Sequence, residues 1–399
     1  MNSVSLEGGL PRAAVSKETQ EWLGRIEKIT PLIADRRAQA DHARVTSRAV
    51  METLRDLGVT RMWVSREFGG GQVSLETGSA VIQALARLDA SVAWQIGVQG
   101  AIGRLADYLP EPTSRKLFKD HPGLVIGGVN PTGRAEAVDG GYLLSGTWGF
   151  ASGSAHADWF VCAALVTDGG RVRQSAKGPE TRMLFVPRSD VEIQDTWYTI
   201  GLRGTGSNDY KVLDSFVPDD FTVRGADMLR PPAERQSRAY AASYYDFGPF
   251  TSTSTALGIA QDALESFKTL AEGKTPAAAG TTLARSHTVQ EKLARAEMRL
   301  YTARLLLADS AKKTIEYGET GGDALSALVR LTAATVAESA VETVDTLYRL
   351  AGASSIYTTS RLERCFRDVH TAVKHITLSS THFEMAGQYL TGGELQMRR

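Results

Sequence analysis

Cysteine is almost missing: Cys162 and Cys365 are the only two in 399 residues. Two thiols exclude the disulfide framework that staples small secreted domains, and they are too few for a thiolate zinc site. Charge of one sign is missing too. Lys+Arg and Asp+Glu both number 45, which excludes the basic footprint of a nucleic-acid-binding protein and the polybasic face of a membrane-surface protein. No uninterrupted apolar run approaches the ~20 residues of a membrane-spanning helix. The opening "MNSVSLEGGLPRAAVSKETQEW" lacks the apolar core of a signal peptide. The seven histidines show no H-x-x-E-H or similar spacing, so no metal site is expected. No G-x-G-x-x-G opens a βαβ unit, so no NAD(P)H site is expected. A soluble, cytoplasmic protein with neither nucleic acid nor membrane as partner is the expectation.

Proline is absent after Pro276. In the stretch that follows, Leu283, Val289, Leu293, Ala296, Leu300, Ala303 and Leu307 recur mostly at helical spacing. So do Leu325, Leu328, Val329, Val336, Ala340, Val344, Leu347 and Leu350, predicting two long amphipathic helices. Gly318 and Gly352 fall where helix C-caps belong. Further helical pattern covers 250–272 and 362–391. The first zone also reads as helical, over Thr19 to Arg37, Val45 to Leu57 and Leu75 to Leu88. Between them, "GLVIGGV", "GGYLLSGTW", "DWFVCAALV", "RMLFVP" and "YKVLDSFVP" are short, β-rich and bounded by Gly, Pro and Asp. The prediction is an α+β chain, mostly α. It has an N-terminal helical domain over 17–120, a central β domain over 121–225 and a C-terminal helical bundle over 235–395.

One stretch of the β zone, "WGFASGSAHADW" (Trp148–Trp159), packs two tryptophans, a phenylalanine, two serines and a histidine into twelve residues. It reads either as an amphipathic strand with its turn or as the wall of a site for a flat aromatic cofactor.

Three words, in order along the chain, carry a resemblance. They are "LGVTRMWVSREFGGG" (Leu57–Gly71), "GLRGTGSNDYKVLDSFVP" (Gly201–Pro218) and "LAGASSIYTTSRLERCFRD" (Leu350–Asp368). Together with the helix–β–helix layout they resemble the acyl-CoA dehydrogenase superfamily from about residue 20 to 390. This implies a central β-barrel and a C-terminal four-helix bundle. The dehydrogenases commonly carry a base glutamate about eight residues after the R-D pair, where this chain has Ile376. A base elsewhere, on Glu265 or another glutamate, stays open. Their cross-subunit R-x-x-F-G word is replaced by "PAAAG" (Pro276–Gly280).

With His375 in "RDVHTAVKH" and Ser152 in "S-G-x-x-H-A-D-W", the chain is more similar to the two-component flavin monooxygenases of this fold. The resemblance implies reduced flavin supplied by a separate NAD(P)H:flavin reductase, O₂ as co-substrate, and a flavin hydroperoxide that hydroxylates a small aromatic, indole or polyketide-type molecule. An amine or amino-sugar N-oxygenase and an acyl-CoA dehydrogenase are the alternatives. FMN is favoured over FAD because the F-G word is missing, and a homotetramer is implied.

Residue by residue, the resemblance puts Ser152 against the central-ring nitrogen of the isoalloxazine and Phe150 on its wall, with Trp148 open between wall and core. Asn130 falls on the loop that meets the pyrimidine edge. Arg203, Thr205 and Ser207 belong to a flavin-contacting loop, and Gln290 to a helix that reaches a neighbouring subunit's flavin. His375 is the candidate base, since imidazole titrates near neutrality. His370, five residues earlier, is read on a different face, ~140° round a helix. Trp94, Gln95 and His370 are candidate pocket residues. His156 is read as a structural histidine that satisfies turn backbone, and Asp158 as a cap or ion-pair partner. In "SVAWQIGVQGAIGRLADYLP" (Ser91–Pro110) the histidine of several phenol hydroxylases is absent, with Ile102 near its place.

Overall fold

A computed structural model describes residues 15–121, 123–175, 178–232, 241–277 and 279–395. The expected start of the bundle at residue 235 and Ala278 of "PAAAG" lie outside these residues.

The chain opens with five helices, α1 (Lys17–Ala43), α2 (Arg48–Asp56), α3 (Leu75–Leu88), α4 (Ala90–Gly103) and α5 (Glu111–Phe118). Their starts are written in short polar side chains. Ser16, Ser47 and Ser74 accept from the amides of Thr19, Val50 and Thr77, and Asp89 accepts from Ser91 and Val92. These bonds satisfy donors that have no partner within the helix. α4 is buried on almost every side, as its apolar composition requires.

Ten strands follow: β1 (Leu124–Val138), β2 (Gly141–Ala151), β3 (Ala157–Asp168), β4 (Arg171–Val172), β5 (Gln174–Ser175), β6 (Gly178–Pro179), β7 (Thr181–Pro187), β8 (Val191–Gln194), β9 (Asn208–Pro218) and β10 (Thr222–Arg224). Eight of them form one sheet with the path β10-β7-β3-β1-β2-β9-β8 and β4 attached to β3, while β5 and β6 pair separately. Among the described residues only β1 and β3 run parallel, and the other pairs are antiparallel. The core of the sheet is aromatic. Trp148 is 1% exposed, stacks on Tyr210 at 5.4 Å and donates its indole N–H to Ala163 O at 2.7 Å.

Three long helices, α6 (Tyr244–Gly273), α7 (His287–Tyr317) and α8 (Gly322–Ala351), build the bundle. Gly318 and Gly352 cap α7 and α8 as expected. By length and composition α8 would pass for a membrane span, but most of its apolar stretch is buried among the other helices. The continuous helix expected over 362–391 is instead two pieces, α9 (Arg361–Ala372) and α10 (Thr381–Leu390). The join reads "VKHITLSS" (Val373–Ser380). Its β-branched and hydroxyl side chains are poor in helix interiors because they bond locally to the backbone, as Ser379 Oγ does in accepting from the Thr381 amide.

Candidate functional site

α4, the sheet, the N-terminal half of α6 and the α9–α10 join surround one connected cleft of ≈ 3130 Å³. Its sheet wall is made by the stretch that raised the question of cofactor or core. In a strand, residues two apart share a face, so Trp148 and Phe150 would both be core. Phe150 instead has φ +64°, and the β2–β9 register shifts between Trp148 and Ala151. The bulge turns the Phe150 ring out into the cleft, 74% exposed and edge-on to Trp197 at 6.1 Å. One tryptophan is therefore core and the phenylalanine is wall. A left-handed phenylalanine is strained, and such strain gathers at functional positions.

Two residues on, Ser152 lines the cleft at 3% exposure. Its Oγ is 2.7 Å from Ser207 Oγ, which is 2.6 Å from Thr205 Oγ1, and Thr205 donates to Leu202 O at 2.8 Å. Asn130 also lines the cleft, in the part of β1 where the ladder to β3 breaks register between Gly128 and Gly133. His156 donates its Nε2–H to Thr46 O at 2.9 Å, and burial lowers its pKa, which keeps it neutral. Asp158 accepts from the Gly123 amide at 2.7 Å. Both have structural partners, as the sequence suggested.

The helix wall presents Trp94, Val98, Ala101 and Ile102, one face of α4. Gln95 is on another face. Its amide donates to Thr46 Oγ1 and Ser91 O, so it braces helices and does not reach the cleft. Gln99 likewise accepts from the Val125 amide. Three further candidates also stay outside the cleft. Arg203 turns away to Asp41 O and Thr199 O, Thr205 is buried behind Ser207, and Gln290 is exposed at the start of α7, donating to Ala284 O.

His375 sits in the α9–α10 join and not on a helix, so the angular separation expected from His370 does not apply and both line the cleft. His370 is paired with Asp345 at 2.8 Å and packs on Phe366. The His375 ring meets Trp94 edge-on at 5.3 Å. Its Nδ1 is 2.7 Å from Thr377 Oγ1, which is 2.6 Å from Ser252 Oγ on α6. The part of the ring left open faces the cleft rather than bulk water, and this burial presses its pKa down to about 4. It is neutral at pH 7.

Sequence reasoning missed what holds the loop carrying Ser207. Asp368 accepts from the Leu202 amide at 2.6 Å and from Arg364 Nε at 2.8 Å. Arg367 donates to Ile200 O at 2.6 Å, and a Cβ on Gly201 would lie 2.1 Å from Arg367 O. Leu202 is itself left-handed, with φ +50°. Burial works against the Arg364 charge, but Asp368, Asp89 and Asp41 outweigh it and hold the guanidinium protonated. The signal was present as Arg361, Arg364, Arg367 and Asp368, one face of α9, but their partner lies far away in sequence. Glu265, an alternative base, is taken up by Arg87 at 2.6 Å and by Gln261, and does not line the cleft.

The comparisons with known proteins agree with this architecture. Residues 26–110 match the model of the acyl-CoA dehydrogenase N-terminal domain, and residues 250–380 a model of the acyl-CoA dehydrogenase C-terminal domain. The chain is 30% identical to indole-3-acetate monooxygenase of Pseudomonas putida over 90% of both chains. It is 28% identical to the FADH(2)-dependent resorcinol hydroxylase, oxygenase component, of a Rhizobium species, over 96% of this chain and 97% of that one. Among solved structures, XiaF from a Streptomyces species in complex with FADH2 and glycerol matches with a TM-score of 0.88 at 23% identity, over 95% and 97% of the two chains. The chain belongs to the acyl-CoA dehydrogenase family, in its branch of flavin-dependent monooxygenases.

Proposed function

We propose that the cleft holds reduced flavin against its sheet wall and a planar aromatic substrate, of indole, phenol or polyketide type, against its helix wall. The observation that carries this reading is the pair of hydrogen-bonding ends facing one cleft, Ser152 from the sheet and a neutral His375 from the bundle. The residues present suit a flavin. Phe150 and Ile200 leave apolar surface open, 74% and 67% exposed, that a flat ring system would cover, and Ser152 offers a hydroxyl beside it.

When bound, reduced flavin supplies the activation of O₂. The protein's part is to bind, to exclude water and to move one proton. Phe150 and Trp197 screen the ring system from solvent. Ser152 would hold the central ring through its hydroxyl, while Asn130 and the backbone near it would hold the pyrimidine edge. Ser207, held by Thr205 and the loop that Asp368 grips, supports Ser152. Trp94, Val98, Ala101 and Ile102 give a flat apolar seat for an aromatic ring.

His375 takes the proton from the substrate's hydroxyl or ring N–H. Ser252 donates to Pro249 O, so it accepts from Thr377, whose hydroxyl then accepts from His375 Nδ1–H and leaves Nε2 as the base. A 3.4 Å approach of the Thr377 amide to Nδ1 calls for the other tautomer. The 2.7 and 2.6 Å bonds form in either tautomer, and of the two contacts that differ the Ser252 bond to Pro249 O is the shorter at 3.2 Å, which favours the proton on Nδ1.

Against an acyl-CoA dehydrogenase stands the engagement of Glu265 by Arg87. N-oxygenation uses the same proton transfer, and an amine in the panel below distinguishes it. FMN is preferred over FAD on the strength of "PAAAG" in place of the cross-subunit word. Homotetrameric assembly fits the exposed Met298 and Leu305 on α7, and in it Gln290 would be offered to a neighbour.

The test is single turnover with reduced FMN or FAD, ¹⁸O₂ and a panel of indoles, phenols and amines. Label is expected in an aromatic product. Unlabelled substrates throughout, with bleaching of bound oxidised flavin by an acyl-CoA, would sink the reading.

A further inference from the structure

The three hydroxyls behind Ser152 have an internal direction. Each carries one hydrogen and two lone pairs. Thr205 spends its hydrogen on Leu202 O, so at 2.6 Å it accepts from Ser207, and Ser207 in turn accepts from Ser152 at 2.7 Å. Run this way, three hydrogens make three bonds. Run in reverse, the same groups make two among themselves and the bond to Leu202 O is lost. All three residues are buried, at 3%, 2% and 1% exposure for Ser152, Ser207 and Thr205. An unmade bond is therefore not replaced by water. The relay leaves Ser152 Oγ with lone pairs alone to offer the cleft.

We propose that Thr205, which does not touch the cleft, is a positioning residue that fixes the Ser152 hydroxyl as an acceptor, so that the site discriminates between the redox states of the flavin. This rests on the reading that Ser152 meets the central-ring nitrogen. In reduced flavin that nitrogen carries a hydrogen and donates. In oxidised flavin it is a lone pair, and Ser152 sets a second lone pair against it. The site thereby retains the form delivered by the reductase and releases the form left after turnover.

The experiment compares dissociation constants for oxidised and, under anaerobic conditions, reduced FMN in four proteins: wild type, Ser152→Ala, Thr205→Val and Thr205→Ser. Thr205→Val removes the hydroxyl that accepts from Ser207, so the direction is no longer fixed and Ser152 is able to donate to a lone pair in the cleft. The ratio of oxidised to reduced dissociation constants should fall about three- to tenfold, the weight of a single hydrogen bond, mainly through tighter oxidised flavin. Thr205→Ser should keep the wild-type ratio. Should Thr205→Val not fold, Ser207→Ala cuts the relay one bond nearer and should lower the ratio likewise. If Ser152→Ala shifts the ratio but the relay variants change both constants by one factor, the relay proposal is overturned while the flavin contact stands. If Ser152→Ala leaves the ratio at its wild-type value, the underlying reading of Ser152 fails.

Discussion

The two walls of the cleft put a polar atom in front of the same space from opposite kinds of backbone. On the sheet wall, Ser152 follows a left-handed phenylalanine and a register shift in β2. On the helix wall, His375 stands in the join where the helical segment after α8 divides into α9 and α10. Each is backed by two further hydroxyl groups and a terminal carbonyl, Ser207–Thr205–Leu202 O on one side and Thr377–Ser252–Pro249 O on the other. The difference lies in what can titrate. The relay at Ser152 carries only hydroxyls, whereas the one on the helix wall starts from an imidazole that burial holds neutral down to about pH 4. Interruption of regular structure is the common device: a polar group that has left its ladder or helix is free to face a ligand.

The comparison assigns proton transfer to the helix wall alone, and His375→Ala should break it most severely. Coupled product formation should fall about 10²- to 10³-fold, the scale of general-base help, with flavin dissociation constants within about twofold of wild type. A large loss of flavin affinity would erase the distinction between walls. Asp368→Asn should disturb both walls together, because α9 leads into the join at one end and grips the flavin loop with this carboxylate. Leaving Arg364 buried without its closest partner should cost about 3 kcal/mol of stability, read by chemical denaturation, and should weaken flavin binding as well. Ser152→Ala should spare proton transfer. It should raise the share of reducing equivalents lost as H₂O₂, about tenfold in the rate of that loss for one removed hydrogen bond in a dry site, measured by peroxide yield per flavin oxidised.

The smallest effect separates the walls by pH. A free histidine titrates near 6.5, but the limb belonging to His375 should lie near pH 4, so rates should not drop between pH 8 and 5 on its account. Its folded pKa is lowered, so between about pH 6.5 and 4 the unfolded chain binds the extra proton. Stability therefore falls as pH is lowered through that window and levels off below it. His382, also pressed to about 4 by burial, contributes in the same direction. His375→Ala should make the decline shallower, and unfolding midpoints measured from pH 7 to 4 would check it.

What could be read beforehand follows from the same contrast. Helices with sustained spacing, such as Leu75 to Leu88, and glycine caps at Gly318 and Gly352 were legible because local rules govern them. Ser152, Phe150 and His375 were reached through resemblance to a family. Their immediate sequence predicts an alternating strand and a continuous helix, and both patterns fail at the site itself. Gln95 and Arg203 turn away from the cleft to Thr46 and Asp41, which lie on elements no local pattern connects to them. The partners of Asp368 and Thr377, the Leu202 amide and Ser252, are equally distant in sequence.

The division of the helical segment after α8 has a consequence for how this enzyme can change. Adding one residue inside a continuous helix swings every later side chain by about 100°, so the length of such a wall is fixed. Between α9 and α10 only the single 3-10 turn Ile376–Leu378 has a register to keep. A residue gained or lost in Val373–Ser380 can move His375 relative to Trp94 while the bonds from Asp368 and Arg367 on α9 keep the Ile200–Leu202 loop where it is. The join is the place where a new substrate outline can be cut while the wall proposed for the flavin stays as it is.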